Sequence, residues 1–296
     1  MPKSSIPHPF LKWAGGKTQL IKVLLRHCPQ DFNNYYEPFV GAGAFFFFLR
    51  RQARIKKEAW INDVNQELID CYAAVRDQAD EVIECLRKYR HSKAAFYRAR
   101  KKNPQNLTLP ERAARMIYLN KTCYNGLYRV NRQGQFNVPF GNYKSPKYYD
   151  PENLQAVSEA LKDVEITCGV FEQVLNHAKA GDLVYFDPPY EPLSRTSSFT
   201  SYHKTGFSQD DQRKLRDVCV ELTKRNVNVL LSNSSAELIV DLYNRPEFVT
   251  QKVDAIRAIN SNPQKRGKLK ELIVTNYPPG KQQQIEVLRQ RQPLTG

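Results

Sequence analysis

Short apolar runs separated by amphipathic stretches indicate strands that alternate with helices at both ends of the chain. In the first part, YYEPF (35–39) predicts a strand, the glycines of GAGAFFFFL open a helix, and EAWIND (58–63) predicts a second strand that ends in an acid. In the last part, an amphipathic helix over 209–224 accompanies four predicted strands, which are VEITCGV, LVYFDPPY, VNVLLSN and ELIVTNY. This alternation is typical of a mostly parallel sheet with helices on both faces, so we expect an α/β fold.

The middle of the chain has a different pattern. Apolar residues recur at helical spacing from Leu68 to Leu86, and a further helix is indicated around 110–120. Polar and apolar residues alternate from Tyr124 to Phe140 around NRQGQ, which predicts a β-hairpin turning near Gly134. This middle region is therefore predicted to be an insertion in one sheet domain. The expected boundaries are 1–70 and 151–280 for the discontinuous sheet domain, 71–150 for the insertion and 281–296 for a polar tail.

Two glycines between the first strand and its helix indicate a ligand site. Gly41 and Gly43 allow a tight turn and a close approach of backbone to ligand, and the helix N-terminus adds a positive dipole. Asp63 ends the next strand about 20 residues later, where ribose hydroxyls are bound in such units. Phe46 stands where the third glycine of a dinucleotide fingerprint would fall. A ligand with a ribose but no pyrophosphate is therefore favoured over NAD.

The stretch FLKWAGGKTQL offers a competing interpretation, because GGKT resembles the end of a phosphate-binding Walker loop. That loop also needs a glycine five residues before Gly16, where this chain has Leu11, and it should follow a strand. Hydrolysis of a nucleoside triphosphate is therefore disfavoured. Taken alone, Trp13 could be a core aromatic and Lys17 a surface charge.

Charge is concentrated in the middle region. The net charge is +15, and between Cys85 and Tyr149 fifteen Lys and Arg accompany a single acid, Glu111. Many tyrosines and a glycine-punctuated turn lie in the same segment. A solvated basic face would explain the charge alone, but the combination favours a surface for nucleic acid, because cations neutralise phosphates and aromatic rings stack on bases.

Composition excludes further classes of protein and further kinds of site. Six scattered cysteines include no C-x-x-C pair and no nearby Cys/His cluster, so we expect neither a metal site nor a disulfide framework. The longest apolar run, 40–49, is about half of what a membrane span requires, and the N-terminus has no apolar segment of the signal-peptide kind. We expect a soluble, cytoplasmic protein that does not enter a membrane.

The stretch DPPY (187–190) follows a predicted buried strand. An isolated tetrapeptide of this kind is most simply explained as a rigid segment that ends the strand. Beside a ribose-bearing methyl donor, however, the Asp187 carboxylate and the Pro188 carbonyl could accept both N–H bonds of the adenine amine, while Tyr190 stacks on the base. A base within a duplex would have to be flipped out, at a cost of a few kcal/mol. The chain has no Pro-Cys step, which methylation at cytosine C5 would require.

Together these motifs resemble the Dam-type DNA adenine-N6 methyltransferases, with the cofactor motif first, the DNA-recognition region in the middle and DPPY last. The landmarks that carry the resemblance are FLKWAGGK, EPFVGAGAFFF, INDVN, YNGLYRVNRQGQFNVPFGNYK, VYFDPPY, SSFTSYHKTGF and LSNS. The resemblance implies a Rossmann-like S-adenosylmethionine-dependent methyltransferase sheet with an inserted helical and β-hairpin DNA-recognition domain. It also implies direct methyl transfer to a flipped adenine, without a covalent enzyme intermediate.

The resemblance also implies roles for individual residues. Catalysis would involve Asp187, Pro188 and Tyr190. The residues implied at S-adenosylmethionine are Trp13, Lys17, Glu37, Phe39, Gly41, Gly43, Asp63 and Asp187. The residues implied at DNA are Lys12, Tyr124, Asn125, Leu127, Arg129, Pro139 and Tyr143. In relatives that methylate GATC these types are present, and Arg129 is the natural guanine contact because its fork can bond O6 and N7 together. Asn142 departs from the pattern, since some relatives have a basic residue there.

Two other functions stay open at this point. Methylation of cytosine N4 or of RNA uses similar chemistry, although the acid at 187 favours adenine and the hairpin favours duplex DNA. A binding protein without catalysis is the other class, and the presence of Asp187, Tyr190, Trp13 and Asp63 argues against it. The expected partner is double-stranded DNA, which would place the protein at the nucleoid, and a cognate restriction endonuclease is a further candidate. The sequence does not indicate an oligomeric state.

Overall fold

A computed structural model describes residues 6–13, 20–192, 207–256 and 268–278. The helices within these ranges are α1 (Ile21–His27), α2 (Ala44–Arg51), α3 (Gln66–Asp77), α4 (Ala79–Arg87), α5 (Lys93–Lys101), α6 (Leu109–Thr122), α7 (Pro151–Leu161), α8 (Val174–His177), α9 (Gln209–Lys224) and α10 (Glu237–Tyr243). The strands are β1 (Tyr35–Glu37), β2 (Ala59–Asp63), β3 (Val164–Cys168), β4 (Leu183–Phe186), β5 (Asn228–Ser234), β6 (Val249–Ile256) and β7 (Lys268–Thr275). The polar tail predicted at 281–296 lies outside the described residues.

The strands form a mixed sheet in the order β3-β2-β1-β4-β5-β7-β6. The expected α/β class is confirmed, and so are the strands predicted from the apolar runs. The order 3-2-1-4-5 is the Rossmann-like arrangement, in which ligands bind beyond the carboxyl ends of the strands. The last predicted strand, β7, runs antiparallel to β5 and lies between β5 and β6 in the sheet. The sequence pattern did not predict β6 or the antiparallel direction of β7.

The chain divides into two compact units, of which the first comprises residues 1–16 and 40–169. Within this unit β2 and β3 pair in parallel, and α3 packs against α6 and α7. Helix α6 begins with a capping box, because Thr108 and Glu111 satisfy each other's backbone N–H groups, with Pro110 in the first turn. The helical pattern from Leu68 to Leu86 is two helices rather than one, since the backbone at Gln78 leaves the helical region (φ −139°) and separates α3 from α4.

The second unit comprises residues 17–39 and 170–296. Here β1, β4 and β5 are parallel neighbours, so their carboxyl ends lie at one edge of the sheet. Every residue of β4 is buried, which explains why its sequence is a continuous apolar run. The domain boundaries expected at 70/71 and 150/151 stay a prediction.

None of the helices in the described residues is long and apolar enough to span a bilayer.

Candidate active site and nucleic-acid interface

In the first unit, Asp63 is held in place by backbone hydrogen bonds at the end of β2. Its Oδ2 accepts the N–H of Gly41 at 3.2 Å, and its Oδ1 accepts the N–H of Asn65 at 3.0 Å. Burial raises the pKa of Asp63, and these backbone donors offset part of that effect. Each carboxylate oxygen has a second lone-pair direction, so the group can also accept hydrogen bonds from a ligand's hydroxyls.

The two predicted glycines are required by close contacts and by positive φ angles. At Gly41 (φ +48°) an added Cβ would lie 2.8 Å from Cδ1 of Trp13, and at Gly43 (φ +65°) it would lie 2.8 Å from Oη of Tyr72. The Tyr72 hydroxyl donates to the Gly41 carbonyl at 3.0 Å, which fixes the turn from the other side. Trp13, Gly41 and Asp63 are therefore neighbours, as expected of a cofactor site.

Trp13 has a stacking partner that the sequence did not indicate. The rings of Trp13 and Tyr128 are stacked, with centroids 5.2 Å apart and planes inclined by 25°. The Tyr128 hydroxyl donates to Oε2 of Glu67 at 2.6 Å. In the sequence, Tyr128 is one of two tyrosines of the hairpin, and alternation alone does not distinguish it from Tyr124.

Two parts of the expected site lie outside the described residues. Lys17, predicted at the cofactor, is one of them. The landmark SSFTSYHKTGF is the other, apart from its last residue, Phe207.

In the second unit, Asp187 directly follows the buried strand β4. The β4–β5 register aligns Phe186 with Leu231, so Ser232 lies beside Asp187. The Ser232 hydroxyl donates to Oδ1 of Asp187 at 3.2 Å and is itself 3.1 Å from the hydroxyl of Tyr185. Since Ser232 gives its one proton to the carboxylate, the Tyr185 hydroxyl donates to Ser232. A buried relay of two hydroxyls therefore orients the acid.

The rest of DPPY is held by neighbouring side chains. The Tyr190 hydroxyl donates to Oε2 of Glu271, on β7, at 2.6 Å. The amide of Gln212 donates to the Pro189 carbonyl at 2.9 Å, and Asn233 in turn donates to Gln212. Burial raises the pKa of Tyr190 well above its ordinary value, and the carboxylates of Asp187 and Glu271 raise it further. The phenol is therefore neutral at physiological pH.

Glu37 is the last residue of the neighbouring strand β1, and Phe39 follows that strand. Glu37 is buried and accepts the hydroxyl of Tyr35 at 2.6 Å. Phe39 stacks on Phe171, with ring centroids 5.3 Å apart, and meets Phe207 edge-on at 5.7 Å. Phe39 is thus part of an aromatic cluster, which is compatible with a purely packing role.

The predicted hairpin is confirmed within the first unit, in a reduced form. Two isolated antiparallel bridges join its arms, Val130 to Phe136 near the turn and Cys123 to Phe140 at the base, and Gly134 turns the chain at φ +74°. Arg129 is exposed, and its Nε donates to Oδ1 of Asn137 at 2.7 Å while one terminal nitrogen donates to the Asn137 carbonyl. These two bonds use the side edge of the guanidinium, formed by Nε and one terminal nitrogen, and leave its end-on edge directed away from Asn137.

The other predicted DNA contacts cluster at the base of this hairpin. Tyr124 is 50% exposed, and its N–H donates to the carbonyl of Pro139. Asn125, at φ +54°, begins a left-handed turn that leads into Leu127. Lys12 and Tyr143 also belong to this group, because the Lys12 ammonium lies 4.3 Å above the Tyr143 ring.

The backbone of Lys12 is held in place by two hydrogen bonds with the side chain of Asn120. Its N–H donates to the Asn120 side chain, whose amide donates back to the Lys12 carbonyl, both at 2.7 Å. Lys121, which follows Asn120 in the chain, is a candidate DNA contact that the sequence did not single out. Burial lowers its pKa to about 8, the charges of Lys12 and Lys147 lower it further, and the carboxylate of Asp150 opposes them. Lys147 pairs with Asp150 at 2.8 Å, so the repulsion that an anion would relieve is chiefly that between Lys12 and Lys121.

Part of the basic excess is internal. Arg115 is 2% exposed, bonds the carbonyls of Ala99 and Arg100, and pairs with Glu67 at 3.3 Å. Arg112 pairs with Asp70 at 3.0 Å. The charge available to a partner is therefore smaller than the sequence count suggests.

Known proteins resemble this chain over most of its length. The family described as D12 class N6 adenine-specific DNA methyltransferase matches residues 13–259. The "Type II methyltransferase M1.LlaDCHI" of Lactococcus lactis subsp. cremoris is 43% identical over 91% of this chain and 95% of its own length. "Type II methyltransferase M.MjaIII" of Methanocaldococcus jannaschii is 44% identical over 91% and 99%. The "DNA adenine methylase" of Escherichia coli (strain K12) is 35% identical over 92% and 95%.

Proposed function

We propose a specific reaction for this chain, which belongs to the family of D12 class N6 adenine-specific DNA methyltransferases. The methyl group passes from the sulfonium of S-adenosylmethionine to N6 of an adenine flipped out of duplex DNA, and the amine releases one proton. The products are S-adenosylhomocysteine and N6-methyladenine in DNA.

The observation that carries this proposal is the hydrogen-bonded setting of Asp187. The relay from Tyr185 through Ser232 fixes the carboxylate at the end of a buried strand. The Asp187 carboxylate and the Pro188 carbonyl would accept the two N–H bonds of the adenine amine. Such acceptors keep the amine's lone pair out of conjugation and directed at the methyl group, because they fix the orientation of both N–H bonds.

The residues at the first glycine turn fit the methyl donor. S-adenosylmethionine supplies an electrophilic methyl group on sulfur when it is bound. Asp63 has acceptor capacity for ribose hydroxyls, and Gly41 brings the backbone and the Trp13 ring close to the same place. Glu37, Phe39, Gly43 and Lys17 are proposed at this site from the resemblance.

We infer that the target is GATC and that the base-contacting residues are those of the hairpin. Arg129 is the proposed guanine contact, because Asn137 leaves its end-on edge for O6 and N7. Tyr124, Asn125, Leu127 and Pro139 would enter or line the opened duplex, while Lys12 and Tyr143 assist. In this proposal residues 71–150 form the target-recognition insertion, and DNA binding places the protein at the nucleoid.

The relatives support a further step, namely that the modification protects DNA from a restriction endonuclease that cleaves the same sequence. The two relatives named type II methyltransferases are 43% and 44% identical to this chain, whereas the E. coli DNA adenine methylase is 35% identical. The test is genetic: a neighbouring gene should encode a nuclease that cleaves only DNA lacking this methylation. If its product does not cleave the unmodified site, a solitary role replaces this one.

The reaction is tested with purified protein, labelled S-adenosylmethionine and unmodified duplex DNA. We expect one labelled N6-methyladenine per strand of each GATC and protection from a nuclease that cleaves only unmethylated GATC. Label in N4-methylcytosine, or label in RNA and not in duplex DNA, would contradict the assigned substrate. Label in adenine with GATC still cleavable would contradict the site and leave the reaction class intact.

A further inference from the structure

Tyr128 touches both functional parts of the first unit. Its ring stacks on Trp13, which lies against the Gly41 turn of the proposed cofactor site. Its hydroxyl bonds Glu67, which follows Asn65 and Asp63 in the loop and first turn that lead into α3. The next residue in the chain is Arg129, the proposed guanine contact.

The hairpin side of Tyr128 is also packed. Its ring meets Phe136 edge-on, with centroids 6.0 Å apart, and Phe136 forms the bridge with Val130 across the hairpin. Residues 128–130 therefore form one edge of the hairpin, with the Tyr128 ring packed inside and the Arg129 side chain exposed. Successive side chains of extended backbone point to opposite sides, which separates Tyr128 from Arg129, while Val130 near the turn is also exposed.

The partner of the phenol is rigid. Glu67 is paired with Arg115, whose other nitrogens bond the last carbonyls of α5. Because Arg115 is buried, this network cannot shift without leaving a charge unpaired, which is costly in the interior. The hydroxyl of Tyr128 is thus tied to a fixed point between α3, α5 and α6.

We propose that Tyr128 is a positioning residue that couples the cofactor site to DNA specificity. This inference rests on the proposed function. The hydrogen bond to Glu67 fixes only the hydroxyl end of Tyr128, so a bound cofactor that orders the Trp13 ring also orders the Tyr128 ring stacked on it, and thereby the backbone that carries Arg129. The specific duplex then pays less ordering entropy when it binds, so the two ligands bind cooperatively. By reciprocity, the specific duplex raises cofactor affinity by the same factor.

The test measures binding rather than turnover, with S-adenosylhomocysteine as the probe. Calorimetry gives its dissociation constant for the protein without DNA and for the protein bound to each of two duplexes. One duplex carries the sequence that the wild type methylates, and the other differs from it by a single base pair. For the wild type we expect the specific duplex to tighten S-adenosylhomocysteine binding by about 5- to 150-fold, the usual range of such coupling. The changed duplex should tighten it much less.

The decisive variant is Tyr128→Leu, which removes the stack while keeping an apolar side chain. The coupling factor is the ratio of the S-adenosylhomocysteine dissociation constants without and with the specific duplex. In this variant it should fall to within about twofold of one, while the affinity for S-adenosylhomocysteine without DNA changes much less. Tyr128→Phe keeps the ring and should keep most of the coupling, which also shows that the position tolerates substitution. Tyr148→Phe is the matched control, because it removes a tyrosine hydrogen bond, to the Tyr89 carbonyl, elsewhere in the same unit.

Two results would overturn the inference. One is a Tyr128→Leu variant with wild-type coupling, and the other is a wild type that binds both ligands with a coupling factor of one. In both cases the methyltransferase function stands. A wild type that binds no S-adenosylhomocysteine, or prefers neither duplex, instead refutes the proposed function and the inference with it.

Discussion

The hydroxyl of Tyr190 and the carboxylate of Glu271 form a 2.6 Å hydrogen bond in the second unit. Glu271 lies on β7, opposite Ser234 of β5, so a strand that runs against the others supplies the acceptor. The raised pKa of Tyr190 keeps the phenol protonated and able to donate. A ring tied at its far end cannot rotate freely, and such a ring is suited to stack on a flipped base in one plane.

Glu271→Ala is expected to lower kcat about tenfold or more, because small misplacements in a reacting complex are costly. The KM for DNA should change only a few-fold, since the ring itself remains. Glu271→Gln keeps an acceptor oxygen and should recover most of the rate. Glu247→Ala, which removes a carboxylate from a surface ion pair with Arg245, is the control and should be neutral. An unchanged kcat for Glu271→Ala would show that the bond does not orient the ring.

Asp187 and Ser232 should have effects of different size on the same step. Asp187→Ala should lower kcat at least ~100-fold and leave DNA affinity within a few-fold, because the acceptor acts on the amine in the reaction. Ser232→Ala should cost about tenfold in kcat, in line with a hydrogen bond to a charged group of ~1.5 kcal/mol. Single-turnover rates and filter binding measure the two quantities. Near-normal turnover in Asp187→Ala would remove this residue from the mechanism.

The residues found from sequence and those missed differ in the kind of signal they leave. Asp63 and Asp187 were found because each follows a recognisable apolar strand, so local pattern alone places it at a strand end. Glu271 and Ser232 were missed as parts of the site because their roles depend on which strands are neighbours. Hydrophobic periodicity shows which face of a strand is buried, but not which strand distant in sequence lies beside it.

Tyr128 and Gln78 show two further limits. The stack on Trp13 joins residues more than a hundred positions apart, and one tyrosine among many does not predict it. The helix break at Gln78 interrupts apolar spacing that fits one helix nearly as well as two, because a break of one residue hardly disturbs a 3.6-residue period. Hairpin turn chemistry at Gly134 is local, and it was therefore predicted correctly.

Arg129 and Asn137 are expected to act together on specificity. Arg129→Ala should cost roughly 1–3 kcal/mol at one base pair and relax discrimination there. Asn137→Ala should reduce discrimination at the same base pair by a smaller amount, because Arg129 loses the bond that holds its side edge. Competition binding with duplexes changed at each position measures both effects. Uniform weakening on all sequences would identify Arg129 as a phosphate contact.

Lys121 should give the folded protein a distinctive pH dependence. Its folded-state pKa of about 8 lies below the ordinary value near 10.5. Between these two values the unfolded chain binds more protons, so this residue makes the free energy of unfolding rise with pH across that window. Lys121→Met should therefore stabilise the protein at pH 7, with an advantage over wild type that shrinks as pH rises above 8. Denaturation of both proteins between pH 7 and 10 checks this, and a constant difference would contradict it.

The same lysine should take up a proton when DNA binds above pH 8. A phosphate placed near Lys12 and Lys121 favours the charged form and raises the pKa of Lys121. Above pH 8 DNA affinity should therefore decline more steeply with pH for the wild type than for Lys121→Met. At pH 7 the variant should bind all sequences more weakly, and the slope of log affinity against log salt should decrease by about 1. An unaltered slope would mean that no phosphate reaches this ammonium, and its low pKa would then be only a consequence of burial.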